Sequence, residues 1–327
     1  MTPSRRSRER GATLLSVLLI IALMSAAALA ATDALARSVS VSRTSGYRAD
    51  GFWAARGALA AGEQVVNEVL AQVQGNLTAE SSVLMEPMIF PYERATITIS
   101  LRDASNCFNL NSIQGDDGEG NSGNAPLRNL RTLYEETGFY GNEARQLSES
   151  LADWIDADTS TRPSGAEDSI YRSRAVPHLT GGQKLLSVGE VRAVEGYTPE
   201  VIARLEQLVC VRRPEDETRL NINTLTLSQA PLLSALFSHE LSVTEAERII
   251  SSRPEGGWVS VEEFLSLPDI SKIVPEMRSD HFLSTTANHV EADILISSAA
   301  GSMRMVAVYG RAVDGSFVLK GSHRRSS

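Results

Sequence analysis

The stretch Gly11–Thr32, GATLLSVLLIIALMSAAALAAT, holds no charged residue across 22 positions. A run of that length spans a bilayer core as one helix, which satisfies its own backbone polar groups. Arg5, Arg6, Arg8 and Arg10 lie immediately upstream. A basic flank of this kind places the N-terminus in the cytoplasm and everything after Thr32 across the membrane.

Three readings fit this stretch. One is a permanent N-terminal anchor. A second is a cleaved secretory signal, because Ala28-Leu29-Ala30 has the small-x-small form of a cleavage site. The third turns on Arg10-Gly11, where a short basic leader stops at a glycine directly before the apolar run. That junction resembles the type IV prepilin signal. The resemblance implies cleavage after Gly11 on the cytoplasmic side and retention of the apolar segment as the packing helix of a filament.

The 327 residues leave room for a sizeable core and two globular units beyond the anchor. The net charge is -9, and the leader through Gly11 carries four Arg and one Glu, so the remainder carries -12. An acidic body argues against a general nucleic-acid binder and suits divalent cations. The two cysteines, Cys107 and Cys210, read as a disulfide in an exported domain, with two buried free thiols as the alternative.

Past Thr32 the apolar face continues at helical spacing through Ala34, Leu35, Val39, Phe52, Ala58, Val65, Val66, Val69, Leu70 and Val73. Gly46 and Gly51 weaken it locally, and Gly75-Asn76 is a stop signal. Thr96–Arg102 alternates polar and apolar residues, the period of a strand. The same period returns in Val290–Ile296, Met303–Ala312 and Ser316–Lys320, with Val313-Asp314-Gly315 as a tight turn. The pattern predicts an α+β fold in which a long N-terminal helix packs on an antiparallel sheet. A large α-helical insertion interrupts that sheet.

The predicted division is a leader over 1–11, a transmembrane or filament helix over 12–32, and the helix continuation with first strands over 33–107. The inserted α-domain follows over 108–285, and the last strands over 286–327. Within the insertion, Phe108-Asn109-Leu110-Asn111-Ser112-Ile113 recurs as Leu220-Asn221-Ile222-Asn223-Thr224-Leu225, and Ser187-Val188-Gly189-Glu190 recurs as Ser260-Val261-Glu262-Glu263. Two degenerate repeats follow, about 108–213 and 220–285. Each Asn-x-Asn suits a turn that caps the next helix, and each Ser-x-x-Glu has the form of a capping box.

Asp156, Asp158, Glu167 and Asp168 frame a loop that contains Pro163 and Gly165. Hard oxygen donors at this density suit Ca²⁺. With Asp156 at position 1, Asp158, Ser160 and Glu167 fall at EF-hand positions 3, 5 and 12, but Thr161 replaces the glycine required at position 6. A true EF-hand is therefore rejected, and a solvated acidic loop is the bland alternative. A second acidic segment, Gly115–Asn124, reads as a surface loop.

Residues Asn221–Leu267 resemble a helix-hairpin-helix or SAM-like module. Its hairpin, Ser238-His239-Glu240-Leu241, has no glycine and carries a carboxylate, which disfavours phosphate. No catalytic constellation is present: the five His residues are scattered, and G-x-S-x-G, H-E-x-x-H and a phosphate loop are absent.

Taken together, Arg10–Ser16, Phe108–Asn111, Leu151–Asp158 with Gly165–Asp168, and Leu220–Thr224 resemble the type II secretion system protein K family, the large minor pseudopilins. This resemblance implies a pilin fold with an inserted α-domain that binds calcium, without enzymatic activity. It implies cleavage at Gly11 by a prepilin peptidase and N-methylation of Ala12. It implies Ser16 at the fifth mature position, where pilin-like chains usually carry Glu. The implied location is the inner membrane, crossed once with the globular part in the periplasm, and the pseudopilus tip after assembly. The implied partners are the smaller minor pseudopilins, the major pseudopilin and the inner-membrane assembly platform, with secretin or cargo as further contacts and no nucleic acid. The rivals are a DNA-binding component of another type IV filament and a secreted calcium-dependent enzyme with an ordinary signal peptide.

Overall fold

The computed structural model describes residues 5–73, 76–92, 95–113, 125–213, 216, 219–298 and 301–325. Gly75 and the acidic segment 115–124 lie outside them. A single helix, α1 (Arg5–Gln72), runs through Gly46 and Gly51 without a break. Its portion Leu14–Arg43 is long and apolar enough to cross a membrane, and none of the described residues buries it. From Ala55 onward the helix changes role. Ala55, Ala58, Val66 and Leu70 recur at helical spacing and are buried against the sheet. Burying side chains such as Val66 and Leu70 contributes roughly 1.5–3 kcal/mol each, enough to dock this half of the helix firmly.

A short helix, α2 (Ser82–Met85), leads into β1 (Met88–Tyr92) and β2 (Ala95–Asp103). The insertion then contains β3 (Phe108–Asn109), α3 (Ala125–Glu136), α4 (Asn142–Ile155), α5 (Asp168–Arg172), α6 (Pro199–Leu205), β4 (Val209–Cys210), β5 (Leu220–Asn221), α7 (Ala230–Ala235), α8 (Val243–Ser251), α9 (Val261–Leu265), α10 (Pro268–Ser271) and β6 (Leu283–Ser284). The chain finishes with β7 (His289–Ser298), β8 (Gly301–Arg311) and β9 (Phe317–Arg325). The main sheet has the order β1-β2-β7-β8-β9, antiparallel throughout. Ile97, Ile99 and Leu101 on β2 and Ala292, Ile294 and Ile296 on β7 face α1 and are buried. A separate, larger core fills the insertion, where α3 packs on α4 and α7, and α7 on α8.

Two short parallel ladders organise the insertion. β3 pairs with β4, and β5 with β6. In each, the ladder asparagine turns the chain locally: Asn109 Oδ1 accepts from Asn111 N, and Asn221 Oδ1 from Asn223 N, both at 3.1 Å. The second asparagine reaches much further. Asn111 exchanges bonds with the N–H and C=O of Leu185, both at 2.9 Å. Asn223 does the same with Trp258, at 2.9 and 2.8 Å. A carboxamide donates and accepts at once, whereas an ionised carboxylate only accepts, so aspartate cannot replace it here. Gly257, at φ +80°, lies so close to Asn223 that a Cβ would sit 2.6 Å from its Cγ. Glu190 accepts from Ser187 N, and Ser260 Oγ accepts from Glu263 N. The partner oxygen of Glu263 goes one residue further out, to Val259 N.

Cys107 and Cys210 form a disulfide with Cα atoms 5.7 Å apart and a sequence separation of 103. In the chain-entropy model, closing a loop of that size contributes about 4–5 kcal/mol. At the junction between sheet and insertion, Asp103 Oδ2 accepts from Asn221 Nδ2 and Thr224 Oγ1, both at 2.7 Å, and its Oδ1 accepts from Ser105 N at 2.8 Å. Asn106 adds a bidentate pairing to Asn221 N and O, and Asn221 Nδ2 also reaches Leu77 O beyond the end of α1. Asn221 is completely buried, so its donors have no water to fall back on. We expect Asp103→Ala to cost about 2–4 kcal/mol in urea denaturation, since it orphans several buried donors at once. A loss below about 0.5 kcal/mol would contradict this account of the junction.

Candidate functional site

Helix α4 carries the buried face Leu147, Leu151, Ala152, Trp154 and Ile155 into the insertion core. Its last turn delivers Asp153 and Asp156 to the start of the loop 157–167. The loop returns through Gly165 and Ala166 to Glu167, which precedes α5. Glu167 Oε2 accepts from Asp168 N at 3.2 Å, a cap on the first turn of α5. One oxygen each of Asp156, Asp158 and Glu167 lies within 4.8 Å of the other two.

Two of these three carboxylates are buried, Asp156 at 8 % and Glu167 at 3 % exposure. Each has one oxygen tied and one without a partner. Asp156 Oδ2 pairs with Arg162 at 2.7 Å, whereas Asp156 Oδ1 and Glu167 Oε1 are buried and unbonded. Unpaired buried acceptors are costly. Asp158 is exposed and accepts from Ser160 N at 2.7 Å. Desolvation pushes the Asp156 carboxyl up, against the Arg162 guanidinium. It also pushes Glu167 up, helped by the charges of Asp153, Asp156 and Asp168. Ionising both groups therefore costs free energy, and a cation among the free oxygens would remove that cost. Two buried orphan acceptors and a set of hard oxygen donors fit Ca²⁺.

Asp168 is placed differently from the other three. Its Oδ1 accepts from Thr180 N and Oγ1, both at 3.0 Å, and its Oδ2 pairs with Arg172 at 3.0 Å. The Thr180 N–H, foremost, holds its carboxyl below the ordinary range. Asp168 thus fastens the segment after α5 and stands outside the three-carboxylate group.

Four residues, Asp153, Arg162, Glu149 and Gly165, shape the site although the sequence reading gave none of them a role in it. Asp153 is fully buried and ion-paired with Arg162 through Nη1, and it also accepts from the Arg162 backbone N. Glu149 holds the far side of the loop, accepting from Ser164 N at 2.7 Å and from Arg131 at 3.2 Å. Gly165 passes so close to Asp153 that a Cβ would lie 1.9 Å from its Oδ2. The available signal for Arg162 was its standing as the only basic residue between Asp156 and Asp168.

The remaining sites map simply. Gly11 and Ala12 lie within α1, and Ser16 lies on its exposed portion. The hairpin segment Ser238–Leu241 has Ser238 and His239 in the left-handed region. His239 faces Glu135 at 2.7 Å and Glu136 at 2.9 Å, an environment that repels phosphate.

The family model described as Type II secretion system (T2SS), protein K matches residues 106–214, and a second model of the same description matches residues 220–282. A type II secretion system protein K of Pectobacterium carotovorum subsp. carotovorum is 35 % identical over 260 residues, 79 % of either chain. That of Aeromonas hydrophila is 31 % identical over 327 residues, 97 % of either chain. The fold is similar to that in the crystal structure of the GspK-GspI-GspJ complex from the enterotoxigenic Escherichia coli type 2 secretion system. The TM-score there is 0.74 at 26 % identity, covering 88 % of this chain and 99 % of that one.

Proposed function

Because this chain belongs to the type II secretion system protein K family, minor pseudopilins of type II secretion, we propose that it occupies the tip of a periplasmic pseudopilus and primes its assembly for protein export. Its relative in the solved complex assembles with two further Gsp proteins, and we assign the corresponding small minor pseudopilins as its partners. The observation that carries the tip position is the combination of Ser16 with the insertion. After cleavage at Gly11, Ser16 is the fifth residue. A Glu there would neutralise the N-terminal amine of a neighbouring subunit inside apolar surroundings, where an unpaired charge is costly. With Ser16 in its place the chain is poorly suited to repeating along a shaft. The insertion between β2 and β7 adds bulk that obstructs a subunit stacked above.

In this reading the chain has no catalytic task. Prepilin peptidase removes the leader and Ala12 is N-methylated. The helix Leu14–Arg43 anchors the protein in the inner membrane, with the globular part in the periplasm. There the assembly platform and the major pseudopilin extend the filament beneath it, towards secretin and cargo. The helix-hairpin-helix-like second repeat serves packing, since His239 and its two glutamates leave no place for a nucleic-acid phosphate. Gold labelling of sheared filaments tests the position: label confined to one end supports it, and label along the shaft refutes it.

Asp156, Asp158 and Glu167 would hold Ca²⁺ in the inserted domain, and the ion would neutralise carboxylates that the fold has already desolvated. We expect calcium to raise the melting temperature over that in chelator. Asp156→Ala and Glu167→Ala should lower it far more in calcium than in chelator, where only the Arg162 pair of Asp156 and the cap of Glu167 on α5 are lost. Equal melting temperatures of the unmutated protein in calcium and in chelator would sink the calcium assignment.

A further inference from the structure

The calcium reading above leaves one group at the site unexplained, the cation already there. Arg162 is nearly enclosed, its side chain 13 % exposed, and it contacts the carboxylates of both Asp153 and Asp156. Both oxygens of Asp153 are engaged by Arg162, one by the guanidinium and one by the backbone N–H. Asp153 therefore has no free oxygen to offer a metal. Asp156 keeps one oxygen on Arg162 and leaves the other, Oδ1, buried and unbonded. The tight passage of Gly165 over Asp153 fixes this arrangement sterically.

We propose that Arg162 is the built-in counter-cation of the site: it holds the loop closed on Asp153 and Asp156 before calcium arrives, and it weakens calcium binding by cancelling part of the charge that attracts the ion. This proposal rests on the calcium reading. Asp156, Asp158 and Glu167 converge, and Asp153 is tied to Asp156 through Arg162, four carboxylates in all. Arg162 brings these four carboxylates to a net charge of -3 in the metal-free loop, and its removal leaves -4, with Lys184 acting on Asp156 in both cases. Asp153 would then be a buried charge with no partner, which is the costly arrangement. Calcium affinity in such sites follows ligand charge count and rigidity. Arg162 thus moves the site toward modest affinity, which suits a compartment whose calcium follows the outside. It also lets the domain fold while calcium is absent.

The test uses the full-length protein in detergent micelles, with calcium chloride as the only ligand. Calorimetric titration of chelator-treated protein gives the affinity, and melting in chelator gives the metal-free stability. Arg162→Gln is expected to melt several degrees lower in chelator and to bind calcium about tenfold more tightly than the unmutated protein. Arg162→Lys, which keeps the charge, should stay close to the unmutated protein in both measurements. Asp153→Asn combined with Arg162→Gln removes one charge of each sign and should recover both the stability in chelator and an affinity within about threefold of the original. Should Arg162→Gln be unfolded in chelator, its refolding on calcium addition carries the same expectation, and failure to refold overturns the proposal. Unmutated protein that binds calcium, beside an Arg162→Gln variant that binds equally or more weakly, overturns the role of Arg162 alone. Unmutated protein that takes up no calcium overturns the metal reading and this proposal together.

Discussion

Asp103 and Val290 lie directly opposite each other in the central sheet, although 187 positions separate them. Everything between must leave one strand and return to the strand beside it. The fold meets this constraint at the point of departure. Asp103 ends β2 and, with the same carboxylate, holds Ser105, Asn221 and Thr224. Asn106 then pairs with the backbone of Asn221. Ser105 Oγ completes the closure by accepting from Asn288 N and His289 N as the chain re-enters β7. Each lost bond at a buried position costs about 1–3 kcal/mol, so the junction holds the insertion in one orientation and not merely by its ends.

The same logic is repeated inside the insertion. A two-residue parallel ladder is far too short to be stable alone. It persists because an asparagine at its end turns the chain, and a second asparagine two residues on clamps a distant backbone segment. The disulfide reinforces the first ladder at Cys210, directly opposite Asn109. The second ladder has no such bond and leans instead on Asp103 and Asn106.

Local patterns carried much of this in the sequence. The alternation in Thr96–Arg102 and the three C-terminal runs correspond to β2, β7, β8 and β9, and the apolar periodicity carried α1 past two glycines. β1 was harder to see, because Pro91 removes a ladder donor and the strand lies at a sheet edge. The asparagine pairs were legible as turns but not as clamps, since their partners Leu185 and Trp258 are set by the path of the chain. The acidic loop was legible by composition. Its internal division was not: Asp153 serves Arg162, Asp168 serves Thr180 and Arg172, and only Asp156, Asp158 and Glu167 converge. Burial decides which carboxylate keeps a free oxygen, and burial is a property of the packed loop.

The central claim is that a pilin-type helix, rather than a cleaved signal or a plain anchor, holds this junction and its acidic site in a filament. The most direct measurement is the N-terminal mass of the protein isolated from cells with a working secretion system. The account predicts a chain that begins at N-methylated Ala12. A start near Ala31, with the whole apolar run removed, would contradict it, as would an intact Met1.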